Sequence, residues 1–318
     1  MVIVTPGKSV RSGDVVADIV ADVVAATRRG TALYSRSRFH APWGIRVEAA
    51  ALASVHVVTA GACWLIPDDG EPVHLIRGDV AFVPSGLGHA LVDSPGRPLR
   101  SMTELIGGPL GEAAPRELVI EGDGPVTGLL CGGYLLEPGP RHPLTAMLPS
   151  IVHVGAGQAR GTGLSAAVDL LSAEFERTDP GAPAVVASLI DLLFVYMLRA
   201  WLAEQSGGWA GALYDPAVGG ALALVHADPG RPWSVPLLAR AVGVPRATFN
   251  RRFTTMTGQS PMAYVTAWRM TVAARILREG RAPLREVAQR VGYDSEFAFA
   301  RAFKRVVGQA PGHYRANG

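Results

Sequence analysis

Two stretches near the C-terminus share one pattern of apolar and polar positions. In both, apolar residues recur every three or four positions on either side of a glycine, and the unit closes with G-Q-x-P-x-x-Y. The matching pieces are "ARAVGV" (239–244) with "AQRVGY" (288–293), "TFNRRF" (248–253) with "AFARAF" (298–303), and "GQSPMAY" (258–264) with "GQAPGHY" (308–314). This spacing is typical of two short helices joined by a tight turn. The pattern therefore predicts a helix-turn-helix that occurs twice.

A longer helix is predicted between the two units. The stretch from Pro261 to Gly280 begins with a proline suited to a first helical turn and ends at a glycine. Its roughly 18 residues would span about 27 Å at 1.5 Å per residue. A rigid helix of that size can hold two recognition helices in successive major grooves, which lie about 34 Å apart on one side of DNA.

The first two thirds of the chain have a different pattern. An amphipathic helix is predicted at 14–28, and short β-like runs between glycines and prolines follow from 31 to about 137, as in an antiparallel barrel or jelly roll. Further helices are predicted at 164–177 and 182–206. The second of these is apolar on nearly every side, so we expect it to be buried against its own domain and a second copy of the chain, in a homodimer.

The expected fold class is α+β in two domains, a β-barrel followed by an all-α domain with two helix-turn-helix motifs. The predicted boundaries are 1–160 for the barrel domain, 161–210 for a helical dimerisation and linker segment, and 215–318 for the helical domain.

Composition narrows the class of protein. Hydrophobic residues make up 48% of the 318 residues, which is typical of a globular chain. We see no apolar run of membrane-spanning length and no signal-peptide pattern at the start of the sequence. The two cysteines, Cys63 and Cys131, do not form a disulfide framework. These features favour the cytoplasm and no membrane partner.

Charge is distributed unevenly along the chain. Residues 215–318 hold 15 Lys and Arg against 6 Asp and Glu, a balance of +9, whereas residues 1–214 have a balance of −6. A basic domain on an acidic body indicates that the helical domain meets a polyanion, and the doubled helix-turn-helix favours double-stranded DNA.

Residues from about 216 to 318 resemble the DNA-binding domain of the AraC/XylS family of bacterial transcription regulators. The resemblance implies a transcription regulator that works with RNA polymerase and places two recognition helices, at about 245–257 and 295–307, in adjacent major grooves. The residues assigned to DNA are Arg246, Ala247, Asn250 and Arg251 on the first helix and Ser295, Glu296 and Arg301 on the second. Arginine can pair with guanine and asparagine with adenine. We expect Arg252 to meet phosphate or solvent. The second helix has few polar groups, so we expect it to contribute less base specificity.

The segment "GDVAFVPSGLGHALVD" at 78–93 resembles the second cupin motif, with His89 at its histidine position and Asp93 in place of the usual asparagine. The first cupin motif is reduced to His56. The N-terminal part is thus similar to the cupin-type sensor domain of some AraC-like regulators, which implies a small-molecule effector. Because the metal set is incomplete, we predict no catalytic residue and no cofactor. A metal at His56 and His89, or at Cys131 and His142, is the less favoured alternative.

Four residues are candidates for the sensor site. They are His56, His89, Cys131 and His142, which we expect to form the polar lining of a cavity that binds a small, partly apolar molecule. Two alternatives remain open at this point. One is a cupin metal enzyme fused to a DNA-binding module. The other is a regulator that senses oxidants or electrophiles through Cys131.

Overall fold

The computed structural model describes residues 12–50, 52–84, 86–109, 116–136, 142–177 and 179–316. Ser85 of the cupin-like motif and the residues just before His142 therefore lie outside the described residues. The strands are β1 (Arg28–His40), β2 (Gly44–Val47), β3 (Leu52–Ala60), β4 (Ala62–Pro67), β5 (Val73–Ile76), β6 (Val80–Val83), β7 (His89–Val92), β8 (Arg100–Ser101), β9 (Glu117–Ile120), β10 (Val126–Leu136) and β11 (Val152–Val154).

Helices begin and end the described chain. They are α1 (Ser12–Thr27), α2 (Met102–Ile106), α3 (Pro143–Ala146), α4 (Ala156–Ala159), α5 (Gly163–Phe175), α6 (Ala182–Glu204), α7 (Gly208–Tyr214), α8 (Pro216–Ala227), α9 (Val235–Ala241), α10 (Arg246–Thr257), α11 (Pro261–Glu279), α12 (Leu284–Arg290), α13 (Glu296–Val307) and α14 (Pro311–Ala316). The helices predicted at 14–28, 164–177, 182–206 and 261–280 are thus confirmed as α1, α5, α6 and α11.

The chain divides into two compact units. One, the β-unit, comprises the described parts of Thr27–Glu137 and Thr145–Leu202. The other, the helical unit, comprises the described parts of Met1–Ala26, Pro138–Leu144 and Ala203–Gly318. This division differs from the predicted boundaries at 160 and 215, because α5 and α6 up to Leu202 fall in the β-unit, whereas α1, the segment at 142–144 and α7 fall in the helical unit.

Two sheets face each other in the β-unit. The six-stranded sheet has the order β11-β6-β3-β10-β1-β9 and the five-stranded sheet the order β5-β4-β7-β2-β8. The core between them is apolar and draws on both sheets, through Phe39, Val58 and Leu129 from the first and Ile45, Leu65 and Leu91 from the second. Burial of these alternating side chains is the main force that holds two sheets together.

The predicted β-rich, cupin-like domain is confirmed, and its details differ from a closed antiparallel barrel. The described strands form two open sheets rather than one continuous ring. Two of the pairs, β1 with β9 and β2 with β8, are parallel. Each adds a short strand at a sheet edge after a longer connection, which a reading of hairpin turns alone does not detect.

Helix α6 packs one face against the six-stranded sheet. The Phe194 ring lies 4.4 Å from the Phe82 ring, and the Tyr134 hydroxyl donates a hydrogen bond to Asp191. In the described residues, α6 alone is long and apolar enough to cross a membrane, but half of its apolar stretch is buried, as in a core helix. Val185 and Leu192 are exposed, so the described part of the chain covers only part of α6, and burial of the rest by a second copy of the chain stays a prediction.

The helical unit contains the two predicted helix-turn-helix motifs. The first is α9 and α10, joined through Gly243 at φ 69°, and the second is α12 and α13, joined through Gly292 at φ 77°. Both glycines adopt the left-handed backbone conformation that the tight turn requires. Helix α11, with 19 residues, connects the two motifs.

Candidate nucleic-acid interface and effector cavity

The first recognition helix, α10, separates its apolar and polar faces. Phe249 and Phe253 are buried, whereas the four residues predicted to read DNA are exposed. These are Arg246, Ala247, Asn250 and Arg251. In the described part of the chain, the three polar members of this set have no hydrogen bond or ion pair with other side chains. Their donors and acceptors are thus available to a ligand outside the chain.

Arg252 has a role that the sequence did not indicate. Its guanidinium forms an ion pair with the buried carboxylate of Asp215. Asp215 also caps α8, where it accepts hydrogen bonds from the backbone N–H groups of Ala217 and Val218, each at 2.9 Å. The Arg252 side chain is still 48% exposed, so it meets solvent as predicted, and its ion pair also ties α10 to the start of α8.

The second recognition helix, α13, exposes a different set of residues from α10. Ser295 is exposed and is the N-cap, where its hydroxyl oxygen accepts a hydrogen bond from the Ala298 N–H at 3.3 Å. Glu296 and Arg301 are exposed as predicted. Phe297 is also exposed, and the Arg301 guanidinium carbon lies 5.8 Å from its ring centroid.

Arg269 fixes one helix-turn-helix motif against the other. It lies on α11, and its guanidinium donates to the backbone oxygens of Pro229 at 2.8 Å, Arg231 at 2.7 Å and Gly292 at 3.4 Å. The first two oxygens precede the first motif, and the third is the turn of the second motif. With about 28 Å of helix between the ends of α11, the two recognition helices share one rigid support.

A cavity of about 70 Å³ opens between the sheets of the β-unit. Its wall is mainly apolar, and no charged side chain lines it among the described residues. The polar lining is Tyr34, Ser35, Ser37, Ser54, His56 and Cys131. The site is thus suited to a small neutral molecule rather than to an ion.

Two of the predicted sensor residues meet at the cavity wall, and a third lies behind them. His56 on β3 and Cys131 on β10 are directly paired across neighbouring strands. The Nδ1 atom of His56 lies 3.1 Å from the Cys131 sulfur, and its Nε2 atom lies 2.9 Å from Nε2 of His89, on the facing sheet. This row of hydrogen bonds joins both sheets beside the cavity.

Burial keeps all three groups uncharged at neutral pH. Loss of water lowers the pKa of His89 to about 4 and lowers the pKa of His56 well below its usual range, where His89 adds to the effect. Burial likewise raises the pKa of the Cys131 thiol to about 12, with a further contribution from Cys63 and an opposing hydrogen bond from Ser37. The thiol is therefore protonated at physiological pH.

These residues do not fit a cupin-type metal. His56 and His89 supply only two ligand nitrogens, and their Nε2 atoms lie 2.9 Å apart, at a distance typical of a hydrogen bond. The other nitrogen of His56 faces Cys131. No group of three or more His, Cys, Asp and Glu residues in the described ranges could hold a metal ion.

His142 is not part of this site, which corrects the predicted pairing with Cys131. It lies in the helical unit, where its Nε2 atom is 3.2 Å from the Tyr264 hydroxyl and its Nδ1 atom accepts from the Leu144 N–H. The Tyr264 hydroxyl also lies 2.5 Å from Nε2 of His226, whose Nδ1 atom is 2.9 Å from the Asp22 carboxylate. Four segments are thus joined by one buried chain of hydrogen bonds.

Every proton in this chain can be assigned with both histidines neutral. Leu144 N–H donates to His142, His142 to Tyr264, Tyr264 to His226, and His226 to Asp22. Burial lowers the pKa of His142 to about 3 and lowers that of His226, although Asp22 opposes the second shift. The chain is a structural network, which we name the Tyr264 network. Only the repeated tyrosine of G-Q-x-P-x-x-Y pointed to it in the sequence.

Comparison with known proteins covers both units. A family model described as Cupin matches residues 18–203, and one described as Helix-turn-helix domain matches residues 238–317. An AraC-like transcription regulator of Streptomyces antibioticus is 33% identical over 277 residues, 86% of this chain and 90% of that protein. The regulator AlkR of Acinetobacter baylyi is 27% identical over 281 residues, 86% of this chain and 90% of that protein. The DNA-binding domain of AdpA, solved with a target DNA, is 32% identical and covers 32% of this chain and 92% of its own, with a TM-score of 0.31.

Proposed function

Because the chain belongs to the AraC-like transcription regulators, with a cupin domain ahead of a helix-turn-helix domain, we propose that it reads a two-part operator with α10 and α13 and responds to a neutral small molecule held in the cavity of the β-unit. Family membership confirms the predicted role in DNA binding and transcription regulation. We infer that the protein works in the cytoplasm beside RNA polymerase, and we assign it no catalytic activity.

The observation that carries the DNA-reading proposal is the free polar face of α10. Arg251 and Asn250 are exposed next to each other on the helix, and both can form two hydrogen bonds to one base. Arg246 stands at the helix start, where it can reach a base or a phosphate, and Ala247 offers a methyl group. Because Arg252 is held by Asp215, it does not compete for the same contacts.

We expect Arg251→Ala to weaken operator binding by about 1–3 kcal/mol and to relax the base preference at one position. The measurement is a binding selection on randomised DNA with the full chain, followed by affinity titrations. Arg251→Lys is the matched control, because it keeps the positive charge and loses the two-pronged contact. If alanine and wild type select the same sites with the same affinity, Arg251 is not a base reader.

Support for the effector site comes from the cavity wall. Gly132 lines the cavity from β10, and a Cβ atom there would lie 2.8 Å from the Ile190 side chain of α6. A ligand that pushes on this wall would therefore act on α6, which leads into the helical unit at Ala203. Binding changes the regulator only if the ligand prefers one arrangement of α6 over another.

Neutral compounds should raise the melting temperature of the full chain, whereas carboxylate or ammonium analogues of the same size should not, because no charged side chain lines the cavity. For the best compound, we expect His56→Leu to shift the reporter dose–response curve at least about tenfold, because it removes the hydrogen bonds to Cys131 and His89 that shape the cavity wall. His89→Ala should also alter the response, by releasing His56. His74→Leu, an exposed histidine on β5, is the control. A curve unchanged by His56→Leu would remove the cavity from the sensing mechanism.

A thiol-based sensor is the second candidate, favoured by the 3.1 Å contact between Cys131 and His56. Nearby histidine could take the thiol proton during attack on an electrophile. The raised pKa of Cys131 opposes this reading, because the reactive thiolate is scarce at neutral pH. We therefore favour reversible binding, with Cys131 as a polar lining residue.

A homodimer through the exposed face of α6 is the third part of the proposal. Val185 and Leu192 stand seven residues apart, so they share one face of the helix, while the opposite face is buried against the sheet. Exposed apolar side chains that recur on one helix face are typical of a protein–protein contact.

We expect Leu192→Asp to make the full chain monomeric at concentrations on the order of tens of micromolar, where the wild type should be a dimer. The carboxylate introduced at position 192 would be removed from water when two chains associate. The free energy of this desolvation is larger than the stabilisation from the remaining contact. Light scattering gives the mass directly. Leu99→Asp, at an exposed leucine outside α6, should leave the dimer intact. If both variants are dimers, the exposed face of α6 is not the dimer interface.

A further inference from the structure

The second recognition helix presents an aromatic ring to solvent. Phe297 is 72% exposed, the highest value among the exposed large hydrophobic side chains of the described residues. It is the second residue of α13, and the apolar side of that helix is already occupied by Phe299 and Phe303, both fully buried. Phe297 therefore lies outside the core, and its ring is accessible to a partner outside the chain.

Its position narrows the choice of partner. In helix-turn-helix proteins the N-terminal residues of the recognition helix contact the edges of the bases. Phe297 stands in that first turn, between Glu296 and the Arg301 guanidinium one turn further on. The surrounding domain carries a balance of +9, which favours a polyanionic partner over an apolar protein surface.

The chemistry of the major groove supplies one apolar feature for such a ring. Thymine presents its C5-methyl group there, and no other base has an equivalent. A phenyl ring can cover that methyl group and remove both from water, a gain of about the size expected for one buried methyl. Arg301 lies on the same helix face as Phe297, so the Arg301 guanidinium can reach a guanine at a neighbouring base pair.

We propose that Phe297 reads a thymine in the second half of the operator through contact with the C5-methyl group, beside a guanine read by Arg301. This rests on the proposed role of α13 in the operator. It changes the expectation for the second helix, which gains base specificity from an apolar residue where polar groups are few.

Replacement of thymine by uracil tests the contact, because it removes only the methyl group. Binding selection with the wild-type full chain first defines the operator. Duplexes are then made in which each dT of the second half is changed singly to dU. For the wild type, one such change should weaken binding about fourfold. Phe297→Ala should bind the unmodified operator about as weakly, and should be insensitive to dU at that position.

The controls separate this contact from general effects. dT-to-dU changes in the first half should affect wild type and Phe297→Ala equally, and Phe297→Leu should keep part of the discrimination. Phe297 is exposed, so melting temperatures should match. Equal sensitivity to dU in wild type and Phe297→Ala would overturn the proposal. A Phe297→Ala variant that binds DNA normally but fails in transcription would also overturn it, and would indicate a protein partner for Phe297. If the wild type selects no sequence, the proposed operator reading fails instead.

Discussion

Gly292→Ala should lower the free energy of unfolding of the helical unit by about 2–5 kcal/mol. A Cβ atom at this position would lie 2.5 Å from the carbonyl oxygen of Gly230 and 2.7 Å from a guanidinium nitrogen of Arg269. The left-handed backbone adds about 1–2 kcal/mol for any residue with a Cβ, and overpacking adds about 1–3 kcal/mol. Urea denaturation of the full chain measures the loss, and hydrogen exchange in α12 and α13 locates it.

The first motif provides the matched control. Gly243 occupies the same place in the repeat and has φ 69°, but a Cβ atom there would meet nothing within 4 Å. Gly243→Ala should therefore cost only the backbone term, about 1–2 kcal/mol. Equal losses in the two variants would mean that the contacts around Gly292 and Arg269 are looser than the structure indicates.

Tyr264→Phe should destabilise the same unit by about 2–6 kcal/mol at pH 7.5. The ring would stay in place, but the buried nitrogens of His142 and His226 would both lose the hydroxyl between them. Each buried polar group deprived of a partner costs about 1–3 kcal/mol. Burial keeps both imidazoles neutral at this pH, so neither loss is relieved by a change of charge.

Tyr314 is the repeat counterpart of Tyr264 and serves as its control. Its hydroxyl lies 3.4 Å from a nitrogen of Arg278, a half-buried side chain that water can reach. Tyr314→Phe should cost less than about 1 kcal/mol. Urea midpoints for both variants decide the matter, and a Tyr264→Phe protein as stable as the wild type would show that the Tyr264 network adds little to the fold.

The sequence predicted the helical motifs well because they rest on local signals. Apolar spacing, the turn glycines and the proline at the start of α11 all act within a few residues of each other. The repeat does not reveal that the two turn glycines have different surroundings, because Gly243 and Gly292 are equivalent positions in the alignment of the two motifs. Only the fold shows that Gly292 is wedged against Gly230, more than sixty positions away, while Gly243 faces open space.

Pairings between distant residues were harder to predict. His56 and Cys131 meet because β3 and β10 pair in one register, and no local pattern reports that register. His142 is close to Cys131 in sequence, yet it belongs to the other unit, where its Nε2 atom lies 3.2 Å from the Tyr264 hydroxyl. Arg252 is next to the proposed DNA-reading residues in the sequence, but its guanidinium forms an ion pair with Asp215. In each case a contact across tens of residues decided the outcome.

The path of the chain bears on how such a regulator can be recombined. The boundary between the units is crossed after residues 26, 137, 144 and 202. A chimaera that joins only the last hundred residues to another sensor would leave Asp22 and His142 behind, and with them both ends of the Tyr264 network. Tyr264 and His226 would then each lose one buried hydrogen-bond partner. We expect a graft that also carries α1 and the 142–144 segment from the same parent to be more stable than one without them.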